Sequence, residues 1–294
     1  MSTQLIAPNT ATPPVPSLVA PLKLEPPSFA ELLTRALSEP GSLMQAYSAF
    51  HNYSFGNQLL AAFQCGLRRI PTGPINTFPG WKDLGRSVRK GEKALTLCMP
   101  ITVKRRNASL DDEDSDQSFA TLFVYKRRWF VLSQTEGPDI ELPPLPNWDP
   151  GLALQNLDIT QAPFTKPNGN CQGYARGREI AINPVAQLPR KTLFHETAHV
   201  LLGHTVQTDF EDHESLPRNL REVEAESVAY VCCEALGLEG GEFCRGYIQN
   251  WADGEPIPES SARRILRVAD QILKAGTPHY RKEPPLQRDH QLSI

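Results

Sequence analysis

The sequence predicts an α+β protein in two domains, and three observations carry that reading. Helical periodicity fills residues 28–65 and gives way to strand-like runs beyond Pro74. A Pro-rich stretch, 137–151 (GPDIELPPLPNWDPG), interrupts the pattern. After it comes a short strand pattern followed by helices. The length of 294 residues fits two domains better than one or three.

The elements follow in order. Residues 1–27 are rich in Pro, Ser and Thr without periodicity and read as a disordered tail. Ser28-Phe-Ala-Glu31 is a capping-box pattern that opens a helix to about Leu37. Helices near 42–51 and 54–65 follow, the second with an apolar face of Leu59, Leu60 and Phe63. Residues 94–104 and 119–132 predict strands, joined by a solvated acidic hairpin loop at 107–118. Beyond the 138–151 linker, residues 178–183 (REIAIN) predict a strand closed by Pro184. Pro189 suits the first position of a helix, and an acidic loop at 205–217 comes after that helix. A helix from about 219 to 236 stops at Gly237, and two more are expected near 242–252 and 259–275. Residues 276–294 read as a frayed tail.

Net charge is only −3, but its distribution is uneven. Residues 54–106 hold ten Lys or Arg against two acids, whereas residues 152–294 carry a net charge of −4. The two parts therefore face different partners. Six cysteines without a CxxC pair fit a reducing cytoplasm rather than a disulfide framework. No secretory leader and no apolar run of membrane-spanning length is expected.

The densest chemistry lies in LFHETAHVLLGH, residues 193–204. His195 and His199, four apart on a helix, share one face and can grip one Zn²⁺. Glu196 sits about 100° further round, in the general-base position of metal hydrolases. His204 misses the spacing of the longer HExxHxxGxxH motif by one residue, and so does Gly203. His204 is therefore read as a cap or a group behind the ligands. A third ligand is sought in the helix REVEAESVAY, 221–230. Glu224 shares a face with Val228 and Val231, and a buried acid needs a partner that a metal would supply. Glu224 is preferred and Glu222 stands next. Two His, one Glu and an open position make a catalytic rather than a structural site, and strand 178–183 is a candidate edge for an extended peptide.

In the basic part, FPGWKDLGRSVRKGEK (78–93) sets Phe78 and Trp81 beside Lys82, Arg86, Arg89, Lys90 and Lys93. Strand 119–132 adds Tyr125, Lys126, Arg127, Arg128 and Trp129. Cations that follow phosphates and rings that stack on bases favour single strands over base-specific duplex readout.

The chain resembles the ArdC antirestriction proteins of conjugative plasmids. The matching residues are YSFGNQLL (53–60), TGP (72–74), WKDLGR (81–86), VRKGEK (88–93), SQTE (133–136), HETAH (195–199) and EAESVA (224–229). The resemblance covers about residues 28–275. It implies an α+β single-stranded-DNA-binding domain over 28–137, with Asn57 and Gln58 added to its DNA-binding residues. It also implies a zincin-like metallopeptidase domain over 152–275, with His195, His199 and Glu224 as zinc ligands and Glu196 as base. The function expected is single-stranded-DNA binding joined to a zinc metallopeptidase-like domain, in antirestriction or protection of transferred plasmid DNA. Two other readings stand beside it. One is a DNA-dependent protease that cleaves a protein substrate bound on DNA. The other is a binding module whose zinc only stabilises the fold.

Overall fold

The computed structural model describes residues 26–104, 119–141, 144–166, 170–205, 217–241 and 257–278. The chain is α+β. The expected N-terminal tail up to residue 25, the acidic loop at 107–118, most of the acidic loop at 205–217 and the helix near 242–252 lie outside the described residues.

Ser28 and Glu31 form the capping box that the sequence predicts, each side chain accepting the other's backbone N–H. Helix α1 (Phe29–Ser38) is followed by α2 (Ser42–Phe50) and α3 (Phe55–Arg68). Next come β1 (Ile75–Thr77), α4 (Phe78–Asp83), β2 (Ser87–Val88), β3 (Leu95–Lys104), β4 (Phe119–Val131) and β5 (Thr135–Glu136). Strands β3 and β4 pair antiparallel over ten residues, and β1 adds to the other side of β4, in the order β1-β4-β3.

Helix α3 lies along the open edge of β3 and closes it with two side-chain amides. Asn57 Nδ2 donates to the Cys98 carbonyl and its Oδ1 accepts the Cys98 N–H, both at 2.8 Å. Gln64 repeats the pattern on Thr96 at 2.8 and 2.9 Å. Each amide satisfies one residue's backbone donor and acceptor, as a partner strand would, so the edge at Thr96 and Cys98 is not offered to another chain.

The C-terminal part contains α5 (Pro150–Asn156), β6 (Thr160–Gln161), β7 (Gly173–Arg176), β8 (Glu179–Ile182), α6 (Pro189–Leu201), α7 (Arg218–Ala235) and α8 (Glu259–Ala275). Its sheet runs β6-β8-β7, with β8 parallel to β6 and antiparallel to β7. The strand expected to receive a peptide, β8, is therefore the central one. Both its edges are taken, and the outer strands of the sheet are β6 and β7.

Apolar burial joins the two parts of the chain. One cluster contains Leu33, Leu43, Phe55 and Leu60 from α1–α3 together with Phe194, Val228, Tyr230, Ile265 and Ile272 from α6–α8. Each such side chain contributes about 1.5–3 kcal/mol by leaving water. Two partly buried acceptors on α8 reinforce the contact: the N–H of Ala30 donates to Glu259 at 2.8 Å and that of Phe55 to Asp270 at 3.1 Å. Trp148, inside the stretch expected as a linker, meets Phe194 edge-on at 5.0 Å and donates to the Ile272 carbonyl. This part of the stretch is docked on the helices rather than free. A smaller cluster (Phe50, Ala61, Cys65, Leu95, Leu97, Trp129, Val131) fills the space between α3 and the sheet. Among the described residues no helix is long and apolar enough to cross a membrane.

Candidate metal centre and nucleic-acid face

Pro189, whose lack of an N–H costs nothing at a helix start, opens α6. Phe194 and Ala198 anchor one side of that helix in the core. This leaves His195 and His199 on the side that meets α7. Their Nε2 atoms point at each other across 3.1 Å. Glu222 Oε2 of α7 stands 3.6 Å from the first and 3.7 Å from the second. Among the described residues these three form the one group able to hold a metal ion. Ligands bonded at 2.0–2.1 Å to a tetrahedral ion stand about 3.3 Å apart. The three measured separations bracket that value, so the donor set fits a divalent cation.

The third side chain at the centre is thus Glu222, not the preferred Glu224. Side chains two positions apart on a helix diverge by about 200°. Glu222 and Glu226, one turn apart, face the histidines, and Glu224 turns away toward α8. The sequence argument was right that Glu224 is buried, for it is fully so. The partner its charge requires is supplied by His204 Nε2 at 3.0 Å and Arg264 Nη2 at 3.3 Å, rather than by a metal.

Both histidines are gripped from behind. His195 Nδ1 meets Glu226 Oε2 at 3.0 Å, and the other oxygen of Glu226 meets Lys191 Nζ at 2.6 Å. His199 Nδ1 meets His204 Nδ1 at 3.0 Å, which puts His204 in the rear position expected for it. Burial lowers the affinity of His195 for a proton, but hydrogen bonds to Glu222 and Glu226 outweigh it and raise the pKa to about 9. Hydrogen bonds to the two histidines hold Glu222 well below the usual carboxylate range. Burial would raise Glu226, yet His195 and Lys191 hold it down at about 2.

Glu196 is buried beside this cluster. Burial raises its pKa, and the neighbouring His195 and His199 only partly offset that. The β7 backbone runs against it at Gly173. A Cβ there would stand 2.7 Å from Thr192 Cγ2, 3.0 Å from the Ala181 carbonyl oxygen and 3.1 Å from Glu196 Cγ. Gly173→Ala is therefore expected to force β7 away from α6 and to cost about 1–3 kcal/mol. Thermal denaturation of the variant checks this.

The expected DNA-binding residues divide by environment. Trp81 is 1 % exposed and donates to the Phe130 carbonyl, and Trp129 is 6 % exposed in the smaller core. Neither ring face is open to a base. Asn57 closes the β3 edge, and Gln58 is buried and donates to the Tyr53 carbonyl. Arg86 is buried, bound to Thr135 and to the carbonyls of Gly137 and Pro138. These five are corrected to structural roles: their polar atoms satisfy backbone groups or their rings fill the core. Arg89 is exposed but braced by Glu92 and the Ser133 carbonyl. Lys82, Lys90, Lys93, Arg127 and Arg128 are exposed and Lys126 is half-buried.

Of the aromatic residues in β4, Tyr125 was expected at the nucleic-acid face and stays exposed, and Phe123 joins it. Phe123 is 61 % and Tyr125 42 % exposed. They alternate with Arg127 along one face of the strand. Tyr125 was quoted in the basic cluster, whereas Phe123 has only the strand period to mark it. Arg68, next to this row, donates to the Lys93 and Ala94 carbonyls. Burial first, and then the like charge of Arg127, lowers its pKa.

Residues 34–129 match the family model described as the N-terminal domain of anti-restriction factor ArdC. No curated protein matches the chain. Among solved structures, the metal-free crystal structure of the antirestriction ArdC protein from R388 plasmid is similar at 19 % identity. That match covers 84 % of this chain and 97 % of that one, with a TM-score of 0.48. The Mn(II)-bound structure of the same protein is similar at 19 % identity over 85 % and 98 %, with a TM-score of 0.44.

Proposed function

We propose that this chain, which is ArdC-like and carries that family's N-terminal domain at residues 34–129, is an antirestriction protein that binds single-stranded DNA through residues 28–137 and holds a divalent metal, Zn²⁺ by donor chemistry, in a peptidase-like site within 152–275. The observation that carries the DNA reading is the exposed row Phe123, Tyr125, Arg127 with Arg68 at its end. Solvent-facing rings on a strand waste apolar area unless something covers them, and two crowded arginines are relieved by a polyanion. Rings stack on bases of any sequence, at about 1–3 kcal/mol each.

The test uses the full chain, because α1–α3 share their core with α6–α8. A fluorescent oligothymidine should bind with an affinity that falls linearly in log salt, by about 0.7 decades per decade for each phosphate contact. Phe123→Ala with Tyr125→Ala should weaken binding by at least about fivefold. Binding that ignores salt, or ignores loss of both rings, refutes the assignment.

In the peptidase-like site His195, His199 and Glu222 would hold the metal, and Glu196 serves as the base. A divalent cation there supplies polarisation of a carbonyl and activation of water. Glu196, buried beside the two histidines, would take a proton from the attacking water and return it to the leaving amine. The outer edge of β7 can pair with an extended peptide and lay it past Gly173, whose missing side chain lets the strand approach Glu196. The second reading, cleavage of proteins bound on DNA, draws on the shared helical core, which keeps the two sites in one body.

A further inference from the structure

The exposed row on β4 does not end at the border of its own sheet. Tyr125 pairs with Cys98 across β4 and β3, and Asn57, in the first turn of α3, grips the Cys98 backbone. Gly56 comes one residue earlier, and the Phe29 ring of α1 occupies the space beside it. A Cβ on Gly56 would stand 2.5 Å from Phe29 Cε1. Over that ring, 4.6 Å from its centre, lies the Arg263 guanidinium of α8. Helix α8 is held there by the two N–H groups it accepts from, Ala30 of α1 and Phe55 of α3. A run of contacts thus leads from Tyr125 to an arginine of the C-terminal helix.

Electrostatics agree with that path. Burial pushes the Cys98 thiol up and the charge of Arg263 pulls it back. Burial first, and then Cys98, raise Tyr125, and Arg263 again opposes the shift. The Arg263 side chain is 51 % exposed. Its Nη2 stands 2.8 Å from Glu259 Oε1, while the other oxygen of Glu259 accepts the Ala30 N–H. The acid is therefore shared with the start of a helix, and the guanidinium fork keeps donors for a further anion. Arg68 stands at the opposite end of α3, about 18 Å from Gly56 at the helical rise. Cations flank the row of rings at both ends of that helix, one from each part of the chain.

We propose that the single-stranded-DNA face continues beyond the N-terminal domain, and that Arg263, laid over Phe29, binds a phosphate of the strand whose bases lie on Tyr125 and Phe123. A guanidinium suits a phosphate because its fork matches two of the oxygens. Neither Phe29 nor Arg263 lies within the matched segment 34–129, so the contact belongs to the whole chain rather than to that segment. The inference rests on the DNA reading above and extends it to α8.

The full-length protein is titrated with a fluorescent oligothymidine over a range of salt. Arg263→Gln should lower the slope of log affinity against log salt by about 0.7, the share of one phosphate on a single strand. Arg263→Lys, which keeps the charge, should restore the slope. In wild type, saturating oligothymidine should shield Arg263 from phenylglyoxal, read by mass spectrometry, and this measurement decides the matter should Arg263→Gln melt below wild type. A wild-type slope in an Arg263→Gln variant that melts normally, or undiminished modification of Arg263 in the saturated complex, overturns the inference. If Phe123→Ala with Tyr125→Ala still weakens binding in that case, the DNA reading stands without it. Wild type that binds no oligothymidine overturns both.

Discussion

Glu196→Gln is expected to lower peptide-bond cleavage by about 10²–10⁴-fold, the span ascribed to a positioned general base, while metal content stays at the wild-type level. The two halves of this expectation have separate origins. Glu196 lies about 100° round α6 from His195 and is not among the three side chains whose donor atoms converge, so no ligand is lost. Its side chain is nonetheless buried beside the cluster and against β7, where the proposed base would have to act. Cleavage of casein, or self-cleavage, with and without single-stranded oligonucleotide provides the measurement. A variant as active as wild type removes Glu196 from the mechanism. Wild-type turnover that appears only with DNA would favour the DNA-dependent protease reading.

The second large effect separates two glutamates that the sequence leaves side by side. Glu222→Ala should weaken metal binding by at least about 100-fold, since a direct ligand counts for more than the 10–100-fold of a supporting group. Glu224→Ala should act differently. Its charge is fully buried and paired with His204 and Arg264, so its removal strands those partners in the core. Breaking a buried pair on one side costs about 3–5 kcal/mol, which should appear as a lowered melting temperature before any metal is added. Inductively coupled plasma analysis after dialysis, set beside a thermal melt of the same samples, distinguishes them. Full metal occupancy in Glu222→Ala would return the third-ligand role to Glu224.

Legibility from sequence followed how local the determining physics was. The capping box at Ser28, the helix opened at Pro189 and the His pair at 195 and 199 depend on neighbours within one helical turn, and the structure has each of them. The third ligand did not, because an acid on a core-facing stripe may meet a metal or another side chain, and only the packing of α8 against α7 places Arg264 and His204 at Glu224. The aromatic and basic residues failed in the same way. Trp81, Trp129 and Arg86 have the composition of a nucleic-acid face, yet each is consumed by the sheet and its loops. Phe123 and Tyr125 remain solvent-facing where β4 pairs with Pro100 and Cys98, at and beyond the point where Asn57, near the start of α3, meets β3.

By itself, then, the sequence determined the α+β class, the pairing of His195 with His199 on one helix face, the position of Glu196 and the uneven charge, all properties of helical period, strand period and composition. The tertiary structure decided which carboxylate stands third beside the two histidines, which aromatics remain solvent-facing, that β8 is the central strand of its sheet, and that LFHETAHVLLGH ends in a histidine that meets His199 from behind. Those outcomes turn on contacts between elements tens to hundreds of residues apart, where a rotation of one residue along a helix redirects a side chain by about 100° and no local pattern records the choice.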